Sequence, residues 1–166
     1  MVLTKADEVM PGEAESGRNG ETEAWHAVLA IHGAVFSRLN KALNREFSIT
    51  LAKYDVLAQL YCAPEGLTQS DLSRQLKVTD GNVTGLVRRL IADGLISREI
   101  SASDRRAFVV QLTEQGRSAY LSARERHDEL LARYFGAVGA DRLRETRNML
   151  NRLLQAVNQA TSRDSE

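Results

Sequence analysis

Apolar residues return every three or four positions along the segment that follows residue 20. This spacing places side chains on one face of an α-helix, so it predicts an amphipathic helix from Glu21 of about six turns. The stripe consists of Trp25, Val28, Leu29, His32, Val35, Phe36, Leu39 and Leu43. Residues 1–20 carry three glycines, Pro11 and several acids but few apolar side chains. This composition predicts a flexible N-terminal arm over residues 1–20.

Two short helices are predicted next. Thr50 can cap the first of them, whose inward side chains are Tyr54, Leu57, Leu60 and Tyr61. Residues 64–66, Pro-Glu-Gly, then break the chain. Thr68 is followed three positions later by Asp71, a variant of the capping box, which predicts a short helix through Leu76.

A tight link leads to another helix. Lys77 and Val78 connect the short helix to Thr79, a further N-cap candidate. The helix is predicted from Asp80 to about Asp93, and Gly94 stands where a glycine cap ends a helix. Its inward face is predicted to hold Val83, Leu86, Val87 and Leu90.

Two runs with β-strand character follow, from Leu95 to Ile100 and from Ala107 to Leu112. The polar segment 101–106 joins them, which predicts a β-hairpin. Thr113 can then cap a helix that continues through Tyr134. The run 135–139 interrupts it before a last helix with an apolar stripe of Leu143, Met149, Leu150, Leu153, Leu154 and Val157.

The order helix, short helix, helix, hairpin between residues 50 and 112 is that of a winged helix-turn-helix. In this motif the second helix of the pair can lie in the major groove of DNA, and the hairpin forms the wing. The fold class is therefore mainly α with a small β-hairpin wing, a winged helix-turn-helix plus a helical dimerisation region. The stripes on the first and last two helices predict burial against a twin chain. A single monomeric core that closes over all of them is the alternative.

Charge and composition narrow the functional classes. The formal net charge is zero, but residues 1–24 carry two basic and six acidic side chains, whereas residues 66–106 carry seven basic and five acidic ones. The second segment is a weak electropositive signal. No apolar run is long enough for a membrane span, and the N-terminus lacks the apolar core of a secretory signal. With a lone cysteine, Cys62, these features favour the cytoplasm.

Residues 66–116 resemble the MarR family of winged helix-turn-helix transcriptional regulators almost without a gap. The motifs that carry the resemblance are a "LTQSxLA" helix, a recognition helix of the form "VxxxxVTxLVxRLxxxGLIxR", a "DxR" wing and a closing "LTxxG". They match Leu67–Leu72, Val78–Arg98, Asp104 with Arg106, and Leu112–Gly116. The flanking helices extend the resemblance to roughly residues 22–160. One departure is Gly85, where many members of the family have an arginine.

The resemblance implies a DNA-binding transcriptional regulator, a ligand-responsive repressor that binds a palindromic operator as a homodimer. It divides the chain into the arm, a dimerisation region of residues 21–48 and 114–160, and a DNA-binding domain of residues 49–113. A winged-helix module that binds protein partners without direct DNA contact remains the alternative.

The candidate DNA contacts lie on the recognition helix and the wing. An asparagine such as Asn82 can make the paired hydrogen bonds that suit adenine. Asp104 can hold Arg106 by paired hydrogen bonds, and the resemblance implies that Arg106 enters the minor groove while Arg105 touches the DNA backbone. The full set is Thr79, Asn82, Thr84, Arg88, Arg98, Asp104, Arg105 and Arg106.

A second candidate site would bind an effector between the dimer helices and the DNA-reading lobe. Its residues are Trp25, His32, Phe36, Arg38 and Tyr54. Aromatic rings beside an imidazole and a guanidinium suit a small aromatic acid or its thioester, and core packing is the alternative role for these rings. Cys62 is expected to be a buried structural thiol, and a redox sensor is the alternative role.

Enzymatic chemistry finds no support in the sequence. A glycine-rich phosphate loop, a Gly-x-Ser-x-Gly elbow and a Cys/His cluster are all missing. The three histidines are not paired at helical spacing, so no metal site is expected. The sequence therefore predicts no catalytic residues, no cofactor and no metal.

Overall fold

A computed structural model describes residues 13–100 and 108–163 of the chain. In this part the protein is mostly helical with one small antiparallel hairpin, which confirms the predicted fold class. The elements are α1 (Glu13–Phe47), α2 (Leu51–Tyr61), α3 (Gln69–Leu76), α4 (Asp80–Ala92), β1 (Ile96–Ile100), β2 (Phe108–Leu112), α5 (Glu114–Phe135), a 3-10 turn (Gly136–Val138) and α6 (Ala140–Arg163). None of the helices in the described ranges is both long and apolar enough to cross a membrane.

The first helix begins earlier than the hydrophobic pattern predicts. α1 starts at Glu13, so the predicted arm is wrong for residues 13–20. The stretch Glu-Ala-Glu at residues 13–15 has high helix propensity, and single glycines in a long helix cost only about 1 kcal/mol each. Residues 1–12 lie outside the described ranges.

Four threonines occupy the N-cap positions that the sequence predicts. The hydroxyl oxygens of Thr50, Thr68 and Thr113 accept hydrogen bonds from the first turns of α2, α3 and α5, at 3.3, 3.1 and 2.9 Å. Thr79 stands at the N-cap of α4 with extended dihedral angles but makes no capping bond through its side chain. The Thr79 hydroxyl therefore does not cap α4.

Gly94 ends α4 as expected. Its φ of +72° lies in the left-handed region, which glycine adopts without steric cost. The Gly94 N–H donates to the carbonyl of Ile91 at 2.9 Å, and the Leu95 N–H donates to that of Leu90 at 3.0 Å. This pair of bonds is the Schellman motif, and it turns the chain from α4 directly into the hairpin.

The hydrophobic core forms where α2 meets α1, α4 and α5. On α4, Val83, Val87 and Leu90 are buried and Leu86 is half-buried, which confirms the predicted inward face. Other fully buried side chains include Leu43, Ile49, Val56, Leu57, Leu60, Leu72 and Val110. The buried stripe of α4 anchors that helix to the core and leaves its opposite face in solvent.

The hairpin is confirmed, with Ile96 paired to Leu112 at one end and Ile100 to Phe108 at the other. Leu67 adds a bridge to Val110 through two backbone hydrogen bonds of 3.1 and 2.8 Å. This bridge ties the segment before α3 to the wing, so the wing keeps a fixed position beside the helix-turn-helix. The hairpin tip, residues 101–107, lies outside the described ranges.

Candidate DNA-binding surface

Helices α3 and α4 form a helix-turn-helix with a link of residues 77–79. Lys77 adopts the left-handed conformation at φ 55°, and its N–H donates to the carbonyl of Ser73. The N–H of Val78 donates to the same carbonyl at 3.2 Å. The link therefore has a defined turn geometry, and it fixes the angle at which α4 leaves α3.

The outward face of α4 carries polar side chains at its edges and glycines along its middle. Asn82, Thr84 and Arg88 are exposed on this helix. Gly81 and Gly85, four residues apart, lie side by side on the outward face. A methyl group at Gly81 would meet nothing within 4 Å, and one at Gly85 only the Arg89 guanidinium at 3.6 Å. A partner surface can therefore approach the backbone of α4 closely.

A cleft of about 250 Å³ separates α4 from the wing. It brings together three of the predicted DNA contacts, Thr84, Arg88 and Arg98. The Thr84 hydroxyl lies 3.1 Å from the side-chain oxygen of Gln69 and 2.9 Å from the carbonyl of Asp80. Gln69 was not among the predicted contacts, although its place in the first turn of α3 is the signal that points to it.

Arg98 lies on β1 over an aromatic ring of β2. Its guanidinium carbon is 4.0 Å from the centroid of the Phe108 ring, and both side chains are exposed. Arg98 pairs directly with Val110, so Phe108, two residues away, is its diagonal neighbour on the same face. The sequence reasoning missed Phe108, because its role depends on the hairpin register.

The other predicted DNA contacts fall into two groups. Thr79 and Asn82 are exposed around the N-terminus of α4, between about half a turn and two and a half turns before Thr84 and Arg88. Asp104, Arg105 and Arg106 lie in the hairpin tip, outside the described residues. The structure thus groups five of the eight predicted side chains on α4 and at the base of the wing.

A second cavity, of about 460 Å³, opens among α1, α2, the end of α5 and α6. Two of the predicted effector residues, His32 and Phe36, line it, and their rings lie 5.7 Å apart. Its walls are formed by Val28, Ile31, His32, Val35, Phe36, Leu39, Leu51, Asp55, Phe135 and Leu150.

Three predicted effector residues lie away from these walls. Trp25 is 58% exposed on α1. The Arg38 guanidinium donates to the carbonyl of Ala34 at 2.9 Å, one helical turn back. Tyr54 is buried and stacks on His127 with a centroid distance of 4.7 Å, so it packs in the core. Burial raises the pKa of the Tyr54 hydroxyl far above its ordinary value.

Asp55 belongs to the cavity wall and was not predicted there. It lies one helical turn after Leu51, on the same face of α2. Asp55 is exposed as a whole, but the groups packed around its carboxyl exclude some water and raise its pKa, and the charge of His127 opposes that rise in part. The cavity therefore contains a carboxylate where the sequence reasoning expected a guanidinium.

The apolar stripes of α1 and α6 remain uncovered within the chain. α6 packs on the 3-10 turn and touches the rest of the described chain little. The exposed members are Trp25, Leu29, Ile31, Phe36, Met149, Leu150, Leu153, Leu154 and Val157. Contiguous apolar patches of this kind mark interaction surfaces.

Cys62 corrects another expectation. The thiol was expected to be buried, but Cys62 is exposed. It occupies the C-cap of α2, where the chain turns towards Pro64.

Comparison with known proteins places these features in a family. The family model described as "MarR family" matches residues 47–107. A MarR family transcriptional regulator from Silicibacter pomeroyi is 37% identical, with 84% of this chain and 96% of that chain covered and a TM-score of 0.74. CouR from Rhodococcus jostii RHA1, solved with p-coumaroyl-CoA, is 26% identical over 76% of this chain and 88% of its own, with a TM-score of 0.70.

A further relative is also an HTH-type transcriptional regulator. The HTH-type transcriptional regulator YdgJ of Bacillus subtilis is 27% identical over 124 residues, which is 72% of this chain and 75% of that protein.

Proposed function

This chain belongs to the MarR family of transcriptional regulators, and we propose that it is a homodimeric, ligand-responsive repressor in the cytoplasm that binds operator DNA through α4 and the wing. The observation that carries the proposal is the cleft beside α4, where Thr84, Arg88 and Arg98 converge on one exposed surface.

In the proposed complex α4 lies in the major groove. Asn82 and Thr84 reach base edges, and Arg88 contacts a guanine or a phosphate. Because Gly81 and Gly85 have no side chains, α4 can approach the floor of the groove closely. This close approach compensates for the arginine that many relatives have at position 85. Arg98 contacts a phosphate and fixes the register of the domain on the duplex.

The wing tip completes the interface in this proposal. Arg106, oriented by Asp104, enters the minor groove, and Arg105 touches the backbone. These three roles rest on the likeness of the "DxR" motif to that of the family.

The uncovered stripes of α1 and α6 support a two-fold dimer. Burying them against a second copy removes a large apolar surface from water, the dominant favourable term in association. In this division residues 21–48 and 114–160 form the dimerisation region and residues 49–113 the DNA-binding domain. Two-fold symmetry then requires an operator with inverted symmetry.

Regulation is proposed to act through the cavity between α1 and α2. A ligand there changes DNA affinity only by binding more tightly to one arrangement of the DNA-reading lobes than to the other. The sequence pointed to an aromatic acid or its thioester, and the likeness to CouR, solved with p-coumaroyl-CoA, supports that class. Repression follows from occlusion of a promoter by the bound dimer.

Fluorescence anisotropy with mixed genomic fragments at two salt concentrations tests DNA binding. The logarithm of the binding constant must fall steeply with the logarithm of salt concentration, because phosphate contacts release counterions. Arg88→Ala is expected to raise Kd about tenfold or more, whereas Arg124→Ala, an exposed arginine of α5, is the matched control and leaves Kd unchanged. Salt-independent or absent binding by the folded dimer would favour the protein-interaction module instead.

A further inference from the structure

We propose that the ion pair between Lys53 of α2 and Asp93 at the end of α4 positions α4 relative to the dimerisation helices. The inference rests on the proposed DNA binding by a dimer. It identifies two positioning residues that lie outside the proposed DNA contacts.

The two charges are 40 residues apart in sequence and meet across a cleft. The Lys53 ammonium lies 2.5 Å from a carboxylate oxygen of Asp93. Both residues line a cleft of about 360 Å³ between the ends of α1 and α4 and the starts of α2 and α5. The Lys53 side chain is only 16% exposed, so the surrounding chain restricts it. The ion pair is therefore a direct link between two helices across a space that side-chain packing leaves open.

Helix dipoles favour the opposite charge at each of the two positions. Lys53 lies in the first turn of α2, where the dipole favours an acid, and Asp93 is the C-cap of α4, where it favours a base. Local helix energetics therefore explain neither side chain. The favourable interaction of each charge is the one that joins the two helices.

The end of α4 depends on polar contacts of this kind. The buried stripe of the helix ends at Leu90, and residues 91–93 are exposed. Beyond Leu90 the end of the helix is held by the ion pair to α2 and by a hydrogen bond of 2.7 Å from the Thr113 hydroxyl to the Gly94 carbonyl. Removal of the ion pair should leave the core intact but loosen the angle of α4.

The start of α2 is itself fixed to α1. The side-chain oxygen of Asn40 accepts a hydrogen bond of 2.9 Å from the Leu51 N–H. A line of contacts thus runs from α1 through the first turn of α2 to the end of α4. In a symmetric dimer both copies of α4 must match their half-sites at once, so a looser α4 carries a larger ordering cost on binding.

Pulsed electron paramagnetic resonance on the full-length protein measures this positioning without DNA. A spin label at Asn82→Cys, in a Cys62→Ser background, reports the distance between the two copies of α4; both residues are exposed. Asp93→Asn and Lys53→Gln are each expected to broaden the distance distribution. Glu99→Gln, which neutralises an exposed carboxylate of β1, is the matched control and leaves the distribution unchanged.

Operator affinity is the second readout, measured on unlabelled protein with the duplex that the wild type selects from a random library. Both single variants are expected to raise Kd about two- to fivefold, the equivalent of one partly exposed ion pair. Long-range electrostatics alone predict the opposite sign for Asp93→Asn, because it removes a negative charge from a DNA-binding surface. The double variant Lys53→Asp/Asp93→Lys keeps both the net charge and the pair, so it should restore the affinity and the distance distribution.

Unchanged distance distributions in both single variants, tighter binding by Asp93→Asn, or a double variant no better than the single ones would overturn the proposal. Circular dichroism checks that each variant is folded, and if one single variant unfolds, the other single variant and the double variant decide the outcome. A wild type without a dipolar signal between the labels would contradict the proposed dimer. A wild type that selects no duplex would contradict the proposed DNA binding.

Discussion

The guanidinium of Arg98 stacks on the ring of Phe108 at 4.0 Å, across the two strands of the wing. A cation–π contact at an exposed site contributes about 0.5–1 kcal/mol. This energy is enough to restrict the long side chain of Arg98, which would otherwise sample many rotamers. Arg98 is thus held beside the cleft that contains Arg88, so the proposed phosphate contact would carry a smaller ordering cost.

Phe108 is accordingly expected to position Arg98 for DNA. Phe108→Leu keeps an apolar side chain but removes the ring quadrupole, so operator affinity should fall about two- to fivefold, the equivalent of that contact, while Phe108→Tyr retains it. Arg98→Ala should reduce the slope of log K against log salt by about one phosphate contact. Anisotropy titrations across a salt series provide both readouts.

The double variant serves as the control. If Phe108→Leu weakens binding equally in the presence and absence of Arg98, the ring acts on DNA by itself and the positioning role is wrong.

Gly116 is expected to be intolerant of any side chain. An added methyl group there would lie 1.8 Å from the carbonyl oxygen of Leu95, and backbone cannot move aside as a flexible side chain does. Gly116→Ala should therefore lower the free energy of unfolding by about 3 kcal/mol or more. Urea denaturation measures this change in the free energy of unfolding, and Ser118→Ala, on the exposed side of α5, is the control. A change within about 0.5 kcal/mol would show that the contact between α5 and the wing is looser than described.

The same substitution at Gly85 should act in the opposite direction on stability. Only the Arg89 guanidinium approaches the position, at 3.6 Å, and alanine favours a helix over glycine by about 1 kcal/mol. Gly85→Ala should thus raise the free energy of unfolding while it weakens operator binding, since the methyl group would occupy the strip that is proposed to face DNA. Denaturation and anisotropy are measured on one preparation. Unchanged operator affinity would mean that the helix backbone does not approach the groove closely.

Asp55 predicts a pH-dependent change in stability. Because the groups packed around its carboxyl raise its pKa, the native state holds this proton more tightly than the unfolded chain does. Ionisation of Asp55 therefore destabilises the native state. This effect is absent below the ordinary aspartate pKa, about 3.9, and grows as pH rises through the raised pKa of Asp55. Asp55→Asn should therefore stabilise the protein at pH 7 relative to the wild type, with the difference vanishing near pH 3. Thermal denaturation over this range checks the sign, and a wild type that is more stable than the variant at pH 7 would contradict it.

Local rules account for most of what the sequence predicted correctly. Helix caps such as Thr50 and Thr113, and the glycine turn at Gly94, depend on neighbours within about four residues, so they can be recognised without the fold. Periodicity likewise identified the buried face of α4.

Several of the features that sequence reasoning missed depend on contacts between distant segments. The stacking of Arg98 on Phe108 requires the strand register, and the close approach of Gly116 to Leu95 requires the docking of α5. On α1, helical spacing alone could not show that Arg38 bonds back to its own helix. Asp55, on α2, reaches the cavity only through the packing of the two helices.

Selection of bound sequences from a random DNA library tests the central claim most directly. Full-length protein is incubated with the library, bound DNA is sequenced, and enriched motifs are aligned. An inverted repeat is expected, with half-site centres about one helical turn apart, about 34–36 Å, and Arg88→Ala should abolish the enrichment. A folded dimer that enriches no motif, or one without inverted symmetry, would contradict a symmetric regulator that reads DNA through α4.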